Sequence, residues 1–153
     1  MDCCVFRVYR YNFDPEAGHV VSALITRLHA GKLERSPTIE IWGSGKPTRD
    51  FFYVDDCIDG IIHVLRNYSE AAPINMGTGR EVSITELAET IASVVGYEGK
   101  LVYDSGKPDG MPRKVLDTGR INASGWQAET GLKSGLAKTY AWFLENIDSN
   151  NQA

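Results

Sequence analysis

The sequence predicts an α/β (α+β) domain built on a small mixed sheet. Apolar residues recur at helical spacing in several separate stretches. Short alternating or apolar runs lie between those stretches and read as strands. The two kinds of element alternate along the chain, and few of the strands are long. A chain of 153 residues is enough for one domain with a real core.

Each element has its own signal. "GHVVSALITRLHAGKL" (residues 18–33) places Val20, Ala23, Leu24 and Leu28 at helical spacing. "TIEIWG" alternates Ile39 and Ile41, as a strand ended by glycine does. "RDFFYV" reads as a second, shorter strand. Asp55 and Asp56 open the next helix as capping and first-turn acids, and Ile58, Ile61, Ile62 and Leu65 form its apolar stripe. Ile74 to Met76 in "APINMGTG" is a short apolar strand. Ser83 and Glu86 in "SITE" make a capping box. Its helix carries Ile84, Leu87, Ile91 and Val94 and stops at Gly96. "KLVYD" is a further strand, and "SGKPDGMPRKVLD" is a Gly/Pro loop leading into a short extended segment. A last helix from Gly131 sets Leu132, Leu136, Tyr140 and Phe143 on one face, and "DSNNQA" is a polar tail.

Composition narrows the partners. A net charge of -4 argues against a nucleic-acid surface, yet leaves room for a local basic pocket. No apolar run approaches the roughly 18 residues that span a bilayer, so no membrane role is expected. "MDCCVFRVYR" is too short and polar for a signal peptide, which points to the cytoplasm. Cys3, Cys4 and Cys57 are an odd set that suits free thiols, with Cys57 packing in a helix. No His/Cys spacing suggests a metal.

The chemistry gathers in two basic loops. "GSGKPT" resembles a Walker loop, but Glu40 and Pro47 stand where that motif needs glycine and Ser or Thr. What remains is a tight turn at Gly43 and Gly45, with Lys46 and with Arg49 as a planar fork for phosphate. "GKPDGMPRK" supplies Lys107, Arg113 and Lys114 from a second pinned loop. Two such loops in an acidic chain fit one shared diphosphate. Asp109 has the wrong sign for phosphate; it accepts from a sugar or base, or holds the turn. Trp42 closes a strand beside the first loop, where an indole stacks on a base or sugar or simply packs; Trp126 and Trp142 read as core. His19 opens the first helix, where the dipole favours a neutral imidazole able to exchange protons near pH 7. Arg27 lies two turns along, on roughly the same face. His29 and His63 read as surface or packing residues. No G-x-G-x-x-G occurs; Gly77 to Arg80 is the nearest approach and lacks the third glycine.

"NFDPEAGHVVSALITRLH", "IWGSGKPTRDFFYVDD", the stretch from "INMGTGREVS" to "SGKPDGMPRKVLD", and "TYAWFLEN" together resemble the C-terminal part of the GDP-L-fucose synthase family. These are extended short-chain dehydrogenases/reductases. The resemblance runs from about Asn12 to Asn146. It implies a partial fold: a nucleotide-sugar substrate domain with the last strand and helix of the Rossmann half over 12–147, an unmatched segment 1–11, and a tail 148–153. It implies His19 as the proton donor in epimerisation at the sugar ring. It implies Arg27, Trp42, Arg49 and Lys107 as contacts to the GDP-sugar, with Gly43, Asp109, Arg113 and Lys114 as weaker candidates. The family enzyme uses NADP and often forms homodimers. Its Gly-rich dinucleotide loop, its Ser/Tyr/Lys set and its epimerisation cysteine lie upstream of what this chain contains. The implied expectation is therefore a chain that holds a GDP-sugar and no cofactor, and that is inactive unless completed by a Rossmann half or a partner. The alternatives are a non-catalytic nucleotide-sugar module, or the substrate domain of another epimerase/dehydratase.

Overall fold

A computed structural model describes residues 19–150, with side chains through 146. In chain order it contains α1 (Val20–Leu33), β1 (Thr38–Trp42), β2 (Thr48–Arg49), α2 (Val54–Asn67), β3 (Val82–Ser83), α3 (Ile84–Val95), β4 (Lys100–Asp104), β5 (Arg113–Lys114), α4 (Gly119–Ala123) and α5 (Leu132–Asn150). The expectations for Cys3, Cys4 and the boundary after residue 11 fall outside the described residues.

β1 and β4 form a parallel pair, in register from Thr38 opposite Lys100 to Trp42 opposite Asp104. A three-stranded sheet has the order β3-β2-β5, with β2 antiparallel to β3 and parallel to β5. Alternation along β1 turns Ile39 and Ile41 inward and leaves Thr38, Glu40 and Trp42 outward. α1, α3 and α5 close over β1 around Val21, Ile25, Leu28, Leu87, Ile91 and Leu136. The capping box forms as expected: the Ser83 hydroxyl accepts from the Glu86 amide at 3.0 Å, and Gly96 ends the helix. A smaller core gathers Phe52, Cys57, Met76, Ile121 and Trp126.

Several local readings are corrected. In "RDFFYV" the strand ends at Arg49, with a last bond from the Asp50 amide to the Lys114 carbonyl at 3.3 Å. Beyond it Phe51 packs on the larger core and Phe52 enters the smaller one. Asp50 is 1 % exposed. Its carboxylate takes up the Thr78 and Gly79 amides at 3.1 and 2.9 Å, together with the Thr78 hydroxyl. Anchored in this way, the chain serves two cores instead of a ladder. Ile74–Met76 is not a strand either. Side chains secure this stretch: Arg120 donates to the Pro73 carbonyl, and Asn75 to the Asp117 carbonyl. The N-cap of α2 is Tyr53, which makes no side-chain capping bond, and Asp55 and Asp56 lie in the first turn. In α1 the buried stripe is turned by one residue: Val21 is buried and Val20 exposed. α4, at five residues, is too short to show a period in the sequence. α5 continues to Asn150, into the stretch read as a tail.

The apolar stripe of α2 is real but uncovered: Ile58 and Leu65 are 51 % and 77 % exposed, with Ile61 and Ile62 between them in the chain. Asp56 binds the Thr130 amide and hydroxyl, and Asp59 accepts from the Trp126 indole at 2.8 Å. These bonds tie α2 to the segment before α5. Among the described residues no helix is long and apolar enough to cross a membrane.

Candidate nucleotide-sugar site

Parallel pairing decides where the two basic loops go. Trp42 and Asp104 stand opposite each other at the ends of β1 and β4, and the Gly43 amide extends the ladder to the Asp104 carbonyl at 2.9 Å. Both loops therefore leave the same, carboxyl end of the pair, the end where open parallel sheets receive ligands. They then meet again, because Thr48 and Arg49 of β2 pair in parallel with Arg113 and Lys114 of β5. The two loops are neighbours along their whole length.

Within that frame the first loop is fixed from two sides. Gly45 has φ +74, and a Cβ there would stand 2.7 Å from the Tyr103 ring. Its carbonyl accepts both the amide and the hydroxyl of Thr85, at 2.9 and 3.1 Å. From the second loop, Asp109 accepts the Ser44 amide and hydroxyl at 2.6 and 2.7 Å. Those two bonds, with Lys46 nearby, hold the Asp109 carboxyl below the usual carboxylate range. Gly43, at φ +86, leaves room for that carboxylate: a Cβ would lie 2.5 Å from its Oδ1. The Tyr103 hydroxyl is buried with no hydrogen-bond partner among the described residues.

Positive charge surrounds an exposed indole. Trp42 is 60 % exposed. Lys107 Nζ lies 5.5 Å and the Arg27 guanidinium 6.0 Å from its ring centre, both within cation–π range. Arg27 also donates to the Glu40 carbonyl at 2.6 Å, which anchors it against β1. Arg49 is half-buried and donates to the Thr48 carbonyl at 2.8 Å. Its Nη2 is 3.9 Å from the position of a Cβ at Gly110, so it borders the second loop. Arg113 is paired with Glu81 at 2.5 Å, and that pairing lowers the Glu81 carboxyl. Lys114 is exposed, beside Arg49 in the ladder.

His19 is the N-cap of α1, half-buried, and makes no side-chain capping bond. Its carbonyl accepts from Ala23 and from the Ser22 hydroxyl. Among the described residues no hydrogen bond or ring contact brings its imidazole to Trp42, Arg49 or Lys107. His29 binds the Tyr140 hydroxyl and His63 the Ser124 hydroxyl, as packing residues do. Ser44, Thr85 and Asp50 escaped the sequence reading. Only the Ser-Gly of the loop and the capping box hinted at the first two.

Other features do not fit an anionic ligand. A concavity of about 680 Å³ at the start of α2 is lined by Asp55, Asp56, Asp59 and Glu129, opposite in sign to phosphate. No metal-binding cluster of His, Cys, Asp or Glu occurs among the described residues. Among those residues no strand leads through a Gly-rich turn directly into a helix.

The chain is similar to the NAD dependent epimerase/dehydratase family, whose family model matches residues 4–77. Curated relatives of similar sequence include proteins named GDP-L-fucose synthase. It is 47% identical over 138 residues to "Probable GDP-L-fucose synthase 1" of Oryza sativa subsp. japonica, covering 90% of this chain and 42% of that protein. It is also 47% identical over 146 residues to "GDP-L-fucose synthase" of Escherichia coli (strain K12), covering 90% and 46%. The chain spans less than half the length of these curated relatives. The structure is similar to a GDP-L-fucose synthetase from Naegleria fowleri solved with NADP bound, with a TM-score of 0.83 and 29% identity over 90% of this chain and 44% of that one. A GDP-6-OMe-4-keto-L-xylo-heptose reductase from C. jejuni gives a TM-score of 0.81 at 27% identity, over 91% and 52%.

Proposed function

We propose that this chain is the nucleotide-sugar-binding part of a GDP-L-fucose synthase. The carrying observation is the convergence of two basic loops at the carboxyl end of β1 and β4, around the exposed Trp42. In this reading the loops hold the diphosphate of a GDP-sugar. Arg49 supplies a fork and Lys107 a point charge, while Trp42 offers its face to the base or sugar. Arg27 adds charge from α1. Arg113 and Lys114 contribute at the rim, Arg113 with its charge already shared with Glu81.

His19 serves as proton donor to the sugar. Protons beside a 4-keto group are acidic, and a protonated imidazole can return one to the ring carbon. NADPH, when bound in the whole enzyme, would supply hydride to the ketone. That cofactor, and the remaining catalytic groups, belong in this reading to a Rossmann half that meets residues 12–147, so the chain by itself binds nucleotide-sugar without turning it over.

Calorimetric titration of the purified chain with GDP, GDP-fucose, UDP and NADPH tests the proposal. Binding of GDP and GDP-fucose without NADPH supports it. Binding of UDP as tightly as GDP points instead to another epimerase of the family, and no binding of either nucleotide overturns it.

A further inference from the structure

We infer that Asp50 is a positioning residue: from inside the fold it sets the direction in which the neighbouring Arg49 presents its guanidinium. The inference rests on the nucleotide-sugar reading for its effect on binding, while the positioning itself stands on geometry. Arg49 lies in β2, opposite Lys114 of β5 and Val82 of β3. Its main chain is held on either side. The Thr48 amide donates to the Pro112 carbonyl at 2.9 Å, and the Asp50 amide to the Lys114 carbonyl at 3.3 Å. The ladder ends there, and the Asp50 side chain takes over. Its Oδ1 accepts the Thr78 amide and hydroxyl, and its Oδ2 accepts the Gly79 amide.

The receiving loop is shaped for a carboxylate. At Gly77 a Cβ would stand 2.5 Å from the Asp50 Oδ2. Gly79 has φ +68, and a Cβ there would stand 2.7 Å from Oγ1 of Thr118. Thr118 is the buried N-cap residue of α4 and accepts from Asn122 of that helix at 3.3 Å, so the loop is backed by the fold. Successive residues of an extended chain point to opposite faces. Tying the Asp50 carboxylate to this loop therefore turns Arg49 the other way, where its Nη2 borders Gly110 of the second basic loop. The bond that Arg49 itself makes goes to the adjacent Thr48 carbonyl and leaves that direction to the backbone. Asp50 is buried at 1 % exposure, so it acts on a ligand through Arg49 and not by touching it.

The test places Asp50→Asn, Thr78→Val and Thr78→Ser in the full chain, each with Arg49 present and in an Arg49→Ala background. Asparagine sets an Nδ2 donor against the Gly79 amide, valine removes the Thr78 hydroxyl bond, and serine keeps it. The readouts are GDP titration and the heteronuclear NOE of the Arg49 Nε–Hε group, with Arg113, held by Glu81, as the internal control. Positioning predicts that Asp50→Asn weakens GDP binding on the order of tenfold and lowers the order of the Arg49 group while leaving that of Arg113. Thr78→Val moves both readouts in the same direction and carries the test if Asp50→Asn does not fold; Thr78→Ser restores them. In the Arg49→Ala background the same changes cost less than about twofold, because the side chain they position is gone. A full loss in that background overturns the inference, since Asp50 would then support the fold at large. Unchanged GDP binding in a folded Asp50→Asn chain, or an unchanged Arg49 group, overturns it as well. If the unaltered chain binds no GDP, the nucleotide-sugar reading fails by itself, and the order of the Arg49 group still decides the positioning.

Discussion

Lys107 holds its ammonium 5.5 Å from the centre of the Trp42 ring, although 65 residues separate the two in the chain. The contact joins the two loops that leave the carboxyl ends of β1 and β4. It puts a point charge next to an aromatic face, in a place where one ligand can meet both.

That juxtaposition predicts a shared loss. Lys107→Ala and Trp42→Ala should each weaken GDP binding by about tenfold, since each removes a contact of roughly 1–2 kcal/mol. The Lys107→Ala loss should shrink as salt is raised, whereas the Trp42→Ala loss should persist. Calorimetry at two ionic strengths reads both.

Asp50 sits under the first loop as a buried carboxylate that accepts three hydrogen bonds from Thr78 and Gly79. Asp50→Ala strands those donors in the interior. The expected cost is on the order of 3 kcal/mol of unfolding free energy. Urea denaturation followed by circular dichroism measures it, and a loss below about 0.5 kcal/mol would refute the anchoring role.

His29 packs against Tyr140 and Phe143, and burial, with Lys32 nearby, lowers its pKa from the ordinary 6.5. The folded state therefore keeps the imidazole neutral, while the unfolded chain takes up a proton first as pH falls. The contribution is whole above pH 6.5 and is lost as pH drops from there through the lowered folded value. The thermal midpoint should fall over that interval, and the fall should be shallower in His29→Gln. Equal slopes in the two proteins would contradict this account of His29.

The stripe Ile58, Ile61, Ile62 and Leu65 on α2 faces outward, and the chain is less than half as long as its relatives. An exposed apolar face of this kind favours association. Sedimentation should show a mass that rises with concentration, and Ile61→Lys/Leu65→Lys should return the chain to a monomer. A wild-type monomer throughout the micromolar range would count against it.

Much of this was legible in the sequence, for identifiable reasons. Helices with a strong period and a good cap, such as α3 with Ser83 and Gly96, could be read almost to the residue. β1 could be read because Ile39 and Ile41 alternate. Phe51–Tyr53 and Ile74–Met76 could not: an apolar run predicts burial, but a strand also needs a neighbour. Here side chains tie these stretches to other segments instead: Asp50 to the Thr78 and Gly79 amides, Asn75 to the Asp117 carbonyl, and Arg120 to the Pro73 carbonyl. The two basic loops were visible as loops. Their adjacency is expected from the shared charge alone; the way it arises, through Trp42 standing opposite Asp104, is a long-range register that no local pattern encodes. The Ser44–Asp109 bonds were hidden for the same reason.

The central claim is that both loops hold one nucleotide diphosphate. Two-dimensional amide NMR of the labelled chain, titrated with GDP, tests it most directly. The account predicts that the amides of Gly43 to Lys46 and of Gly106 to Gly110 shift together, along one binding curve with a single dissociation constant. Shifts confined to one loop, or two loops following different curves, would contradict it.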